Sequence, residues 1–312
     1  MMKNMSENER IYVAGHNGML GSSIIKKLKE NKEYKLITRT SKELDLRNQT
    51  EVEIFFKTEK IDTVILAAAK VGSIEENRLN PAEFLIENLQ IETNVITSAF
   101  KNNVKNLIFI SSSCVYPDNA PQPLKEESIF TGKLEPENEA YGLAKLTGIK
   151  ACEYYKNEYG LNYFSVLPTN LYGENDNFDP KHSHVIPAIM KRMDDAKKYK
   201  KSNIEVWGTG NIYREFLYVD DAADAIIFLL KNKPSENIIN LGTGQDLTIR
   251  ELIFELKNVV GYEGDIIFDS SKPDGIYKRQ LDIDKLKSMG WKPKIKLNEG
   301  LKKTYEWYKK NI

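Results

Sequence analysis

Ile11-Tyr12-Val13-Ala14-Gly15-His16-Asn17-Gly18-Met19-Leu20-Gly21 sets three glycines between a short apolar run and an amphipathic stretch at 22–31, where Ile24, Ile25 and Leu28 recur at helical spacing. Strand, glycine turn and helix in that order predict a dinucleotide-binding crevice. Glycine permits the tight turn and the close approach of backbone N–H groups to a pyrophosphate, and the helix N-terminus adds partial positive charge. The spacing is GxxGxxG rather than GxGxxG, so the flanking elements carry much of the reading. Gly15, Asn17, Gly18, Met19, Leu20 and Gly21 are the candidate cofactor-contacting residues of this loop. After the second strand, where NAD enzymes place a carboxylate, the chain reads Thr38-Arg39-Thr40-Ser41-Lys42. Arg39, Ser41 and Lys42 fit a 2′-phosphate instead, which favours NADP(H); a solvated basic loop is the plain alternative.

Outward from that run, apolar strands are predicted at 35–38, 63–69, 106–110 and 163–168, alternating with helices at 81–102 and 137–159. This alternation predicts an α/β fold: a doubly wound parallel Rossmann sheet with helices on both faces. Past residue 168 the texture changes to a Gly-, Asn- and Asp-rich loop at 172–183, a helix at 187–201 and a strand at 204–207. A helix–strand unit at 220–241 is expected to rejoin the first sheet. A helix at 248–260, a strand at 265–268, a loop at 270–275 and a last helix at 297–309 follow. The expected division is a cofactor domain over 1–171 plus about 220–242, and a smaller α/β C-terminal substrate lobe over 172–219 and 243–312.

The 312 residues carry 45 Lys+Arg and 45 Asp+Glu, a net charge of zero that argues against bulk nucleic-acid binding. No apolar run approaches the length of a membrane span, so no membrane partner is expected. Two cysteines, Cys114 and Cys152, exclude a disulfide framework and point to the cytoplasm. Residues 1–10 lack the apolar core of a secretion signal and read as a frayed leader. No cluster has metal-ligand spacing.

Tyr141 and Lys145 lie four apart on one face of a predicted helix. A lysine ammonium there is expected to lower the phenol's pKa and make Tyr141 a proton donor and acceptor near neutrality. Ser112 follows the fourth strand, at the sheet edge where such folds bind ligands. A Ser–Tyr hydroxyl pair can hold one carbonyl oxygen while hydride arrives at its carbon. Cys114, two residues on, would point the same way as Ser112 in an extended chain.

Together, Gly15-x-x-Gly18-x-x-Gly21, Ser112 and Tyr141-x-x-x-Lys145 resemble the extended short-chain dehydrogenase/reductase family. Pro168-Thr-Asn170-Leu171-Tyr-Gly173 and Arg214-Glu-Phe-Leu-Tyr-Val-Asp-Asp221 fit it as well. Ser112-Ser-Cys114-Val-Tyr-Pro117, Ser183-His184-Val-Ile-Pro187 and Lys272-Pro-Asp274-Gly275 resemble its members that turn GDP-4-keto-6-deoxymannose into GDP-L-fucose. The resemblance implies a bifunctional enzyme that epimerises C3 and C5 and then reduces C4 with NADPH. It implies Cys114 and His184 as the acid/base pair, and Ser112, Tyr141 and Lys145 as the reductive set. Pro168, Asn170, Leu171, Lys145 and His184 would line the cofactor, and Arg192, Trp207, Arg214 and Asp274 the GDP-linked 4-keto-6-deoxy sugar. Dimerisation through the helices at 81–102 and 137–159 is a further implication. Such members often carry a basic residue in the glycine loop and another after the second strand; here Asn17 and Ser41 stand there, and NAD stays open. The remaining readings are a related GDP-sugar C4 reductase or an epimerase-reductase acting on a GDP-heptose or dideoxyhexose, a redox-neutral epimerase or dehydratase that keeps its nicotinamide, and a redox-sensing module.

Overall fold

The computed structural model describes residues 8–30, 33–179, 183–272 and 274–312. The leader at 1–7, the end of the first helix expected at 31, three residues of the loop at 172–183 and Pro273 of the Lys272–Gly275 motif lie outside the described residues.

Six parallel strands form the main sheet. They are β1 (Glu9–Ala14), β2 (Tyr34–Ile37), β3 (Thr63–Leu66), β4 (Asn106–Ile110), β5 (Asn162–Pro168) and β9 (Ile238–Leu241), in the order β2-β1-β3-β4-β5-β9. The chain leaves β1 toward β2 and returns on the other side of β1 as β3. This reversal opens a crevice at the carboxyl ends of β1 and β3, where doubly wound sheets take their ligands. Both faces are covered. Tyr12, Val64, Leu107 and Phe109 point into one apolar cluster, and Ile11, Val13, Ile65 and Ile108 into the other.

Helices α1 (Met19–Leu28) and α7 (Val219–Asn232) cover the second of these faces, joined by Ser23 Oγ donating to Asp220 at 2.7 Å. The opposite face carries α2 (Gln49–Glu59), α4 (Pro81–Lys101) and α5 (Glu139–Tyr159), with α3 (Ile74–Leu79) just before α4. Helices α2 and α3 were not anticipated from the apolar pattern, and both begin on side-chain caps. Asn48 accepts from Thr50 and Glu51, and Ser73 with Glu76 forms a capping box.

The second lobe holds α6 (Val185–Lys198), α8 (Ile249–Val260) and α10 (Leu297–Asn311) around their own core of Met190, Met193, Leu252, Leu256 and Leu301. Its strands are short. β8 (Tyr213–Tyr218) pairs with β6 (Asn170–Tyr172), β10 (Asp246–Thr248) and β12 (Lys278–Arg279), while β7 (Asn203–Trp207) pairs with β11 (Asp265–Asp269). A short helix, α9 (Asp284–Ser288), leads back against β9. No helix among the described residues is long and apolar enough to cross a membrane.

Candidate active site

The loop after β1 is built for close approach. Gly15 has φ +82°, and a Cβ there would stand 2.8 Å from the Ala67 carbonyl oxygen at the end of β3. A Cβ on Gly21 would fall on the Gly15 carbonyl and lie 2.9 Å from His16 Cα, so glycine alone lets α1 start against the turn. Gly18 occupies the N-cap of α1 and supplies no side-chain cap, which leaves first-turn N–H groups available at the positive end of the helix. His16 Nδ1, also in this loop, is buried without a hydrogen-bond partner. A pyrophosphate fits a cradle of this kind.

Arg39, just past β2, donates to Glu59 at 2.5 Å and lies over the Phe55 ring at 5.3 Å. Glu59 also pairs with Arg10 at 3.1 Å, so two guanidiniums share one carboxylate and positive charge is left over. Ser41 and Lys42 are exposed beside it.

At the end of β4 the backbone does not stay extended as the alternation argument for Cys114 required. Ser112 caps a single 3-10 turn, Ser113–Val115, its Oγ accepting from the Cys114 N–H at 3.2 Å. Serine readily makes this local bond, which turns the chain and brings Cys114 over the first turn of α5. There Gly142 lets α5 approach: its Cβ position is 3.2 Å from the Cys114 carbonyl oxygen.

Tyr141 and Lys145 do share one face of α5. The Lys145 Nζ lies 5.6 Å from the centre of the Tyr141 ring and donates to the Ile110 carbonyl at 3.2 Å. The expected fall in the Tyr141 pKa is overturned: burial, with Cys114 and Glu92 adding, pushes the phenol well above its ordinary value. Burial is the main cause; Glu92 of α4 contributes too, its carboxylate 3.0 Å from Lys145 Nζ with both side chains 1% exposed. The lysine charge therefore meets an opposite charge before it reaches the phenol.

His184 is the N-cap of α6, in the second lobe. Desolvation lowers its imidazole below the ordinary 6.5, against the opposing pull of Glu76. Pro168 ends β5, and Asn170 and Leu171 run on into β6, where the Asn170 amide donates to the Glu215 carbonyl at 2.9 Å.

The remaining predicted residues gather in the second lobe. Trp207 is 69% exposed, with Lys272 5.5 Å from its ring, so core packing does not account for it. Arg214 donates to the Ile276 carbonyl at 2.7 Å, and burial with the adjacent Arg279 brings its pKa down to about 10. Asp274 accepts from the N–H and hydroxyl of Thr209, both at 2.7 Å, and so organises the turn after β7. Arg192 is exposed and donates to the Glu205 carbonyl at 2.6 Å.

Three site-supporting residues escaped the sequence reading: Glu92, Glu215 and Arg279. Arg279 of β12 joins the lobes, donating to the Ser113 carbonyl at 3.2 Å inside the turn that carries Cys114. The Arg279 signal was its place next to the Lys272–Gly275 motif and that of Glu215 its place inside the Arg214–Asp221 motif; Glu92 gave none. Among the described residues no group of three or more His, Cys, Asp or Glu side chains could hold a metal.

Comparison with known proteins follows the same lines. The model of the NAD dependent epimerase/dehydratase family matches residues 11–242. The chain is 50% identical to GDP-L-fucose synthase 1 of Arabidopsis thaliana, over 98% of this chain and 95% of that one. It is 46% identical to GDP-L-fucose synthase of Escherichia coli, over 97% of each. Among solved structures, a GDP-mannoheptose C4 reductase of Campylobacter jejuni with NADP bound superposes with a TM-score of 0.89 at 39% identity, covering 98% of this chain and all of that one.

Proposed function

We propose, for a chain that belongs to the NAD dependent epimerase/dehydratase family, the conversion of GDP-4-keto-6-deoxymannose to GDP-L-fucose: inversion at C3 and C5, then NADPH-dependent reduction at C4. The observation that carries this reading is identity of 46–50% along nearly the whole chain to proteins of that activity, with a hydroxyl, thiol and ammonium cluster at the sheet edge.

Bound on the glycine loop, NADPH supplies the hydride. Gly15, Gly18 and Gly21 with the first turn of α1 receive its pyrophosphate, and Arg39 with Lys42 and Ser41 its 2′-phosphate. Lys145, Pro168, Asn170, Leu171 and His184 complete the lining. Ser112 and Tyr141 hold the C4 oxygen. A ketone at C4 acidifies the hydrogens on C3 and C5, so each centre can invert when a base takes the proton from one face and an acid returns one to the other. Cys114 and His184 take these roles, and the lowered imidazole pKa keeps His184 neutral, able to accept a proton near neutrality. Arg214 and Arg192 bind the diphosphate, Trp207 covers the base or sugar, and Asp274 holds the turn beside it.

The cofactor domain is assigned to 1–171 plus about 220–242, and the nucleotide-sugar lobe to 172–219 and 243–312. A homodimer is proposed through α4 and α5, whose outward Ile86, Leu143 and Tyr154 are exposed apolar side chains. The compartment is the cytoplasm, consistent with two free cysteines.

A second reading, a GDP-heptose C4 reductase, has the NADP-bound heptose reductase in its favour. Incubation with GDP-4-keto-6-deoxymannose and NADPH in heavy water, read by NMR, separates the two. The proposed reaction places deuterium at C3 and C5 and consumes one NADPH per sugar. Reduction without label leaves a simple reductase, and label without NADPH loss leaves a redox-neutral epimerase.

A further inference from the structure

Glu92 belongs to none of the motifs on which the reaction was built, yet it is the carboxylate nearest the proposed proton donor's helper. It projects from α4 toward α5, where Gly148 makes room: a Cβ at 148 would stand 2.8 Å from Glu92 Oε2. The groups facing it are the Lys145 ammonium at 3.0 Å, the Tyr141 phenol on the next turn of α5, and the Cys152 thiol, whose pKa rises through burial and through Glu92. Cys114 faces the same phenol from the 3-10 turn. Among the described residues no group other than the Lys145 ammonium is placed to donate to Glu92, so its charge is balanced by Lys145. Lys145 in turn is fixed by the Ile110 carbonyl and by the Phe109 ring, 4.7 Å from Nζ.

We infer that Glu92 is a positioning residue: by pinning and neutralising the Lys145 ammonium, it keeps Tyr141 protonated until the sugar's C4 oxygen needs a proton. The inference rests on the reading of Tyr141 as donor in C4 reduction. In that step C4 gains hydride from NADPH, the carbonyl π pair moves to oxygen, and the oxygen takes the phenol proton. The tyrosinate left behind recovers a proton from water. An unbalanced ammonium beside Tyr141 would favour tyrosinate before the substrate arrives. A balanced one does not. Burial of the phenol acts in the same direction as Glu92.

The test needs no sugar nucleotide, so it can fail or succeed independently of the substrate assignment. Tyrosinate absorbance of the NADP⁺-bound protein is titrated with and without Tyr141→Phe, and the difference reports Tyr141. Glu92→Gln should bring this titration down by about 1–3 pH units, the effect of an opposite charge within a few ångströms. Glu92→Asp, with the charge kept at greater distance, should fall between Gln and the parent. In a sugar assay, the alkaline loss of NADPH oxidation should move down with it. If both variants lose stability while Tyr141 titrates as in the parent, Glu92 is only a structural counter-ion and the inference falls. If Glu92→Gln does not fold, Glu92→Asp decides by the same titration: a downward shift supports the inference and an unmoved one overturns it.

Discussion

Glu92 beneath the sheet-edge site and Glu215 in β8 of the second lobe are both buried carboxylates, 1% and 0% exposed, and desolvation pushes both upward. Their surroundings differ. Glu215 accepts from the N–H groups of Thr243, Gly244 and Leu281 at 2.5–2.7 Å and from the Thr243 hydroxyl at 3.2 Å, and among the described residues no cation pairs with it. Glu92 has the Lys145 ammonium and, among the described residues, no backbone N–H or neutral donor. A carboxylate held by backbone donors locks three chain segments in place and is indifferent to nearby chemistry. A carboxylate held by one lysine shares that lysine with whatever else the lysine touches. The first is a staple; the second can be adjusted by events at the site.

The sharpest break in the comparison comes from removing each carboxylate's support. Lys145→Met should cost about 3–5 kcal/mol of unfolding free energy, because it strands the Glu92 charge, and adding Glu92→Gln should recover most of that. A double-mutant cycle by chemical denaturation checks it, and additive losses would show that the two do not interact. Glu215→Ala should cost roughly 3 kcal/mol by leaving several buried donors unpaired. No removal of a cation should rescue it, and the same denaturation series decides.

Arg279→Ala tests the link between the two regions. Losing the bond to the Ser113 carbonyl should cost about 1–2 kcal/mol, with slower deuterium incorporation at C3 and C5 and little change in cofactor affinity. Unchanged incorporation would detach Arg279 from the positioning of Cys114. The smallest effect is a pH dependence. A carboxyl whose folded pKa is raised above its ordinary 4.5 stabilises the fold fully below that value and loses the contribution as pH rises through the folded pKa. Relative to Glu215→Gln, the parent should therefore gain stability, by about 1 kcal/mol or less, as pH falls from 7 to 5. A flat difference between the two melting curves across that range would contradict the raised value.

The parts legible in the sequence are those whose chemistry is local. Gly15, Gly18 and Gly21 announce their turn because they adjoin their own strand and helix. Tyr141 and Lys145 announce a shared face because they lie one helical turn apart. The main sheet was readable for the same reason, each strand being a short, mostly apolar run. Glu92 was not readable. It is one acid on an amphipathic helix, and its partner comes from another helix through tertiary packing alone. The rise of the Tyr141 pKa was unreadable for the same reason, since it comes from burial by tertiary packing, with Cys114 and Glu92 adding. The strands β6, β8, β10 and β12 are two to six residues long and embedded in loop-like sequence, and their partners come from distant segments. The orientation of Cys114 failed on a finer point: a serine hydroxyl replaced extended backbone with a turn.

The edge strand β9 is contributed only after the chain has travelled out through β6, β7 and β8 and come back. A ribosome delivering this polypeptide must release residue 241 of 312 before the six-stranded layer can close, so the cofactor crevice matures late in synthesis and alongside its neighbour. Nascent chains halted near residue 171 would carry five of the six strands with β5 unpaired on its outer edge, open to a stray strand or a chaperone.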